Sequence, residues 1–183
     1  MTACSGDGPP SSQTSGAQSS GTTMEFEFAA AGYPAMSASL PGQPMGTSGS
    51  SISGLDLEVW TLTRSGDRAM LLVIALHNPG TSTVKTGVET GNLSAARNSS
   101  EKNAGAKTVS GISAVDGTGL KQYLPYMINP ADDNTCLCSA YNLRDFAAGQ
   151  RDHYAALLSA PPAGVKTVTV VTGLGSVANV PVS

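Results

Sequence analysis

The run Met70-Leu71-Leu72-Val73-Ile74-Ala75-Leu76 is the strongest constraint in the chain, and His77-Asn78-Pro79-Gly80 closes it. A core helix would need several more residues and a 3.6-residue period, whereas a run this short ended by Asn-Pro-Gly fits a strand covered on both faces. Such a strand belongs at the centre of a β-sandwich. Upstream, Leu55, Leu57 and Val59 alternate with Asp56 and Glu58, and Leu62 resumes the pattern after a break in phase, as in a strand with one wet face. Ser65-Gly66-Asp67 supplies a tight turn, so 52 to 78 reads as a β-hairpin. Trp60, the only tryptophan, falls on the polar phase or at a bulge. It is read either as partly buried under a loop or as a ligand platform.

Further strands follow at regular intervals. Val109, Ile112 and Val115 mark one that ends at the turn Asp116-Gly117-Thr118-Gly119, and Lys121 to Met127 returns from it, with Pro125 placing that strand at an edge or a bulge. Gln150 to Leu158, Val165 to Val171 and Val177 to Val182 complete the set, separated by Ala160-Pro161-Pro162-Ala163-Gly164. The absence of a convincing amphipathic helix, with roughly seven or eight short strands, predicts an all-β, immunoglobulin-like antiparallel sandwich over 52–183. The charge is mild, formally -3, and the ten Lys and Arg form no basic stripe, which argues against nucleic acid as a partner. The stretch Ala69 to Leu76 is less than half of what a membrane-spanning helix needs.

The N-terminal part has a different character. Met1-Thr2-Ala3-Cys4 resembles the end of a bacterial lipoprotein signal, in which a small residue precedes a cysteine that becomes the lipidated first residue. Met1 stands where Leu is usual, and the charged and apolar parts of a signal are expected upstream. From Ser5 to Thr23 runs a Gly, Ser, Thr and Gln tract that cannot bury a core, so 1–23 is expected to be a disordered tether, reaching roughly 25 Å by random-coil scaling. Residues 24–51 read as linker, with Met24-Glu25-Phe26-Glu27-Phe28 a candidate short edge strand before Pro34, Pro41 and Pro44. Met24, Met36 and Met45 lack the spacing of a thioether copper site and read as scattered apolar side chains.

Two stretches carry a family likeness. Ala69 to Gly80 resembles a strand pair of the telokin-like, immunoglobulin-like domains of small bacterial envelope lipoproteins. Val115-Asp116 through Tyr123-Leu124-Pro125, then Cys136-Leu137-Cys138-Ser139 and Ala160-Pro161-Pro162-Ala163-Gly164-Val165, resemble domains of actinobacterial secreted lipoproteins, some of which precede a peptidoglycan-binding OmpA-like domain. The resemblance implies an extracytoplasmic, non-enzymatic module; a lipid on Cys4 would anchor it to the outer face of the cell membrane, and an unidentified envelope protein or glycan is the expected partner. It supplies no catalytic residues.

Three cysteines are an odd number for an exported chain, and lipidation of Cys4 removes the oddness. Cys136 and Cys138 can then pair in an oxidising compartment; the alternative is a redox-active dithiol, although no βαβ pattern surrounds them. The acidic loop Asp132-Asp133-Asn134 offers oxygen ligands to a hard cation but lacks the rest of a calcium loop, so it reads as a solvated turn or a candidate binding loop. His77 ends a strand facing a turn, and His153 reads as a surface or rim residue. A serine elbow is absent, zinc-ligand spacing is absent, and neither metal nor other cofactor is expected. The functional expectation is therefore a lipid-anchored, non-catalytic binding or structural module. A small-ligand or metal carrier is the first alternative, and a thiol redox protein using Cys136 and Cys138 is the second.

Overall fold

The computed structural model describes residues 21–30, 32–86, 93, 108–128, 135–141 and 144–183. Among them the strands are β1 Thr22–Phe26, β2 Met36–Leu40, β3 Gly46–Gly49, β4 Asp56–Ser65, β5 Ala69–His77, β6 Ser113–Asp116, β7 Lys121–Tyr123, β8 Met127–Ile128, β9 Thr135–Cys136, β10 Arg151–Ser159, β11 Thr167–Thr172 and β12 Gly175–Pro181. One sheet runs β10-β5-β4-β3 and a second β12-β11-β6-β7, all antiparallel. The fold is thus the expected all-β antiparallel sandwich. Among the described residues no helix is long and apolar enough to cross a membrane.

Period-two alternation sorts the side chains of the first sheet into two faces. Leu57, Val59 and Leu62 of β4, Leu72, Ile74 and Leu76 of β5, and Tyr154, Ala156 and Leu158 of β10 face the second sheet, where Ala114, Val168, Val170, Val177 and Val180 complete one core. The opposite face carries Trp60, Leu71, Val73, Ala75 and Ala155, and it is covered by Phe26, Ala38 and Leu40 of the β1–β2 hairpin, with Met24 and Met36 as apolar filler. The molecule therefore has three layers, and β5 in the middle is buried on both faces, as the apolar run requires.

Three boundaries differ from the sequence reading. The stretch 24–51, expected to be linker apart from a short strand, holds β1, β2 and β3: β2 is part of the outer layer and β3 pairs with β4. Gly46 serves packing, since a Cβ there would lie 2.6 Å from Cγ1 of Val177 on β12. The expected strand from Lys121 to Met127 is divided at Pro125. β7 pairs with β6 in the second sheet, whereas Pro125 and Tyr126 bond to β10 in the first, through the Pro125–Leu158 bridge and a Tyr126 N–H to Leu157 carbonyl bond of 2.9 Å. A proline cannot continue a ladder as donor, and the chain changes sheets there. Finally, β1 begins at Thr22, inside the expected tether; residues 1–20, with Cys4, lie outside the described residues.

Candidate functional site

The polar end of the outer face gathers the chain's most unusual side chains. The pairing Arg151↔His77↔Asp56 and His153↔Ala75↔Glu58 aligns β10, β5 and β4, so Arg151, His153, His77 and Glu58 share one face. Trp60 shares this side with Glu58 by ordinary alternation, and the β4–β5 register shift between Val59 and Thr61 leaves it as the extra residue of a bulge, after which Thr61 stays on the same side and Leu62 returns to the core. The break in phase before Leu62 was the trace of this bulge.

Glu58 is 3% exposed, yet it is charged and fully engaged. Its Oε2 accepts from Trp60 Nε1 at 2.8 Å and from Arg151 Nε at 2.7 Å, while Oε1 accepts from Arg151 Nη2 at 3.0 Å and lies 3.0 Å from His77 Nδ1. Burial alone would raise this carboxyl; the hydrogen bonds from Arg151 and Trp60 and the charges of Arg151 and His77 outweigh it and hold the group below the ordinary carboxylate range. The Arg151 guanidinium also sits 5.2 Å from the centre of the Trp60 ring, a cation–π contact. His77 Nδ1 is 3.2 Å from Arg151 Nη2 as well, so this nitrogen accepts from Arg151 when bare and donates to Glu58 when protonated.

His153, expected at the surface or rim, lies half-buried on this face. Its ring meets Trp60 edge-on at 5.0 Å, and its Nε2 is buried with no hydrogen-bond partner among the described residues. Burial, and then the charge of Arg151, hold its imidazole below the usual histidine range against the opposing pull of Glu58 and Asp152. Asp152 itself takes a bidentate bond from Arg144, at 2.9 and 2.6 Å, on the other side of β10.

With both carboxylate oxygens occupied and no hydroxyl or thiol nucleophile among its partners, this cluster is built to hold β4, β5 and β10 together and to seat Trp60. Sequence reasoning missed it, because Glu58 and Arg151 are 93 positions apart. A second missed residue is Asn78, read only as part of a stop signal. It is fully buried, aims Nδ2 at the carbonyls of Ser82, Phe146 and Ala147 at 2.8 to 2.9 Å, and accepts from the Gly80 N–H at 3.0 Å, so it ties the end of β5 to the segment before β10.

Cys136 and Cys138 form a close pair, with Cα atoms 5.2 Å apart. Both are fully buried in the main core, on a segment that caps the outer edge of β10: Leu157 donates to the Leu137 carbonyl and Ser139 to the Ala155 carbonyl, each at 2.8 Å. The Ala29 N–H donates to the Cys138 carbonyl at 2.8 Å, which fastens the outer hairpin to the same segment. Asp132, Asp133 and Asn134 lie outside the described residues, as does Cys4. Among the described residues no group of three or more His, Cys, Asp or Glu side chains could hold a metal ion. The chain matches no protein-family model, no curated protein and no solved structure.

Proposed function

We propose that this chain is a lipid-anchored cell-envelope protein whose sandwich acts as a non-catalytic binding or structural module. The observation that carries the reading is the Cys136–Cys138 pair. Two cysteines placed to bridge suit an oxidising, extracytoplasmic compartment, and they leave Cys4, behind its small residue, as the one cysteine for a lipid. Burial of both sulfurs denies access to an attacking thiolate, which favours a structural disulfide over a redox dithiol. The saturated Glu58 cluster favours a scaffold over a catalyst, since its polar groups are spent on one another.

The test is fractionation of a bacterial host that exports and lipidates the chain behind an upstream signal. The wild-type protein is expected in the membrane fraction and is released by detergent, whereas Cys4→Ala is expected among soluble proteins. Equal distribution of the two forms would remove the anchor from the account.

A further inference from the structure

Among the described residues the outer layer ends in an open strand edge above a groove. There β2 pairs with β1 alone, and Met36, Ser37, Ala38 and Ser39 line a groove of about 260 Å³ together with Thr61, Thr63, Arg64 and Ser65 of β4 and Leu71 of β5. No residue of β1 lines it, so the unpaired edge of β2 is the one that faces the groove. The register shows which backbone groups point there. Pro41 has no N–H, so the terminal pair Thr22↔Leu40 must be closed by Leu40's own N–H and carbonyl; by alternation Met36 and Ala38 also turn toward β1. The N–H and carbonyl groups of Ser37 and Ser39 therefore point into the groove, and no partner among the described residues takes them.

Open edges of this kind are normally blunted by a charge, a proline or a bulge. The strand Met36-Ser37-Ala38-Ser39-Leu40 has none of these, and its pairing with β1 runs without a register shift. The floor is mixed: Leu71 is apolar, and the Thr61 and Thr63 hydroxyls lie 2.8 Å apart and satisfy each other. The groove carries no acidic side chain, and its one cation, Arg64, donates to the Pro161 and Pro162 carbonyls at 2.6 and 3.0 Å.

We infer that the open edge of β2 binds an extended segment of a partner protein, which adds as a third strand of the outer layer. At about 3.3 Å per residue the five-residue edge accommodates four or five residues of the partner. Side chains turned to the floor must be small, as Ala38 is on the neighbouring strand, and neutral or acidic beside Arg64. A second copy of this chain does not fit. Antiparallel pairing of two β2 edges keeps the same faces down, and the second copy's own sheet would then need the space that Thr61, Thr63 and Leu71 of the first copy fill. The occupant is a segment bare on both faces. The inference rests on the binding-module half of the proposed function and is independent of the anchor; failure of peptide binding would leave lipidation of Cys4 to stand or fall by itself.

The experiment uses the full chain. Linear heptapeptides displayed on phage are selected on the wild-type protein and counter-selected on the Ser37→Pro/Ser39→Pro variant; enriched sequences are synthesised and titrated into the isotope-labelled protein by NMR. Proline is tolerated at edge positions whose N–H faces outward, so the variant keeps the β1–β2 pairing. The expected result is amide shifts confined to 36–39 and 61–65, and binding weakened about tenfold by Ser37→Pro, the loss of one backbone hydrogen bond. Thr63→Lys, which places a charged chain on the floor, is expected to weaken binding to the same extent and serves alone if the proline variant does not fold. No enrichment over the counter-selected variant, shifts elsewhere on the sandwich, or binding indifferent to Thr63→Lys would overturn the inference.

Discussion

Replacing Arg151 with methionine tests the Glu58 cluster most sharply. The change keeps an apolar stem against Trp60 but removes two of the bonds to a carboxylate whose side chain is only 4% exposed. Breaking a buried ion pair by deleting one partner costs about 3–5 kcal/mol. The Arg151 side chain is 31% exposed, and His77 and Trp60 still face the carboxylate, so the low end, about 3 kcal/mol, is expected. For a domain of this size that lowers Tm by roughly 6–12 °C. With Arg151 gone, burial dominates and Glu58 titrates above its ordinary value. A carboxyl with a raised folded-state pKa stabilises fully below its unfolded pKa and loses that stability as pH rises, so the deficit relative to wild type should be larger at pH 8 than at pH 5. The Glu58→Gln/Arg151→Met double variant should recover most of the loss, because it leaves no buried charge. Urea titration followed by Trp60 fluorescence is the natural assay, since the single tryptophan sits in the cluster. A loss under about 1 kcal/mol, as for an exposed ion pair, or a deficit that grows toward pH 5, would refute the reasoning.

Other perturbations address other parts of the structure. His153 has a depressed folded-state pKa, so its contribution to stability is complete above the unfolded value near 6.5 and is lost as pH falls through the folded one; His153→Phe should flatten the stability profile below about pH 6.5, measured by Tm against pH. Asn78→Asp turns an acceptor toward three carbonyls and should destabilise more than Asn78→Ala, itself expected to cost about 1–3 kcal/mol; denaturant midpoints of the two variants give the order. Gly46→Ala forces β3 and β12 apart and should cost about 1–3 kcal/mol, with Val177→Ala in the same chain restoring part of it. Additive losses in that pair would show that the close approach is not the cause.

The sequence disclosed the fold where burial and periodicity agree. All seven residues of the Met70–Leu76 run are buried between β4 and β10, so its double burial is written in its composition. What covers its outer face was not legible: apart from Leu40, β2 and β3 are made of Met, Ser, Ala, Gly and Thr among prolines, a composition that propensity assigns to linker. Phe26, Ala38 and Leu40 carry most of the apolar contact, with Met24, Phe28 and Met36 beside them, and tertiary packing decides the rest. The polar cluster left a partial trace, the phase break at Trp60 and the shared phase of Arg151, His153 and Ala155, but pairing Glu58 with Arg151 required knowing that β4 and β10 both flank β5. Counting cysteines showed that Cys136 and Cys138 could pair, and the structure brings them close, with Cα atoms 5.2 Å apart; the burial of both came from their place on the segment that caps β10.

The central functional claim is a lipid on Cys4 with a bridge between Cys136 and Cys138, and intact-mass spectrometry of the mature protein from an exporting host, with and without reductant, tests both at once. The account predicts an N-terminus at Cys4 carrying diacylglycerol and a gain of about two daltons on reduction of one disulfide. An unlipidated chain that retains Met1, with no mass change on reduction, would contradict it.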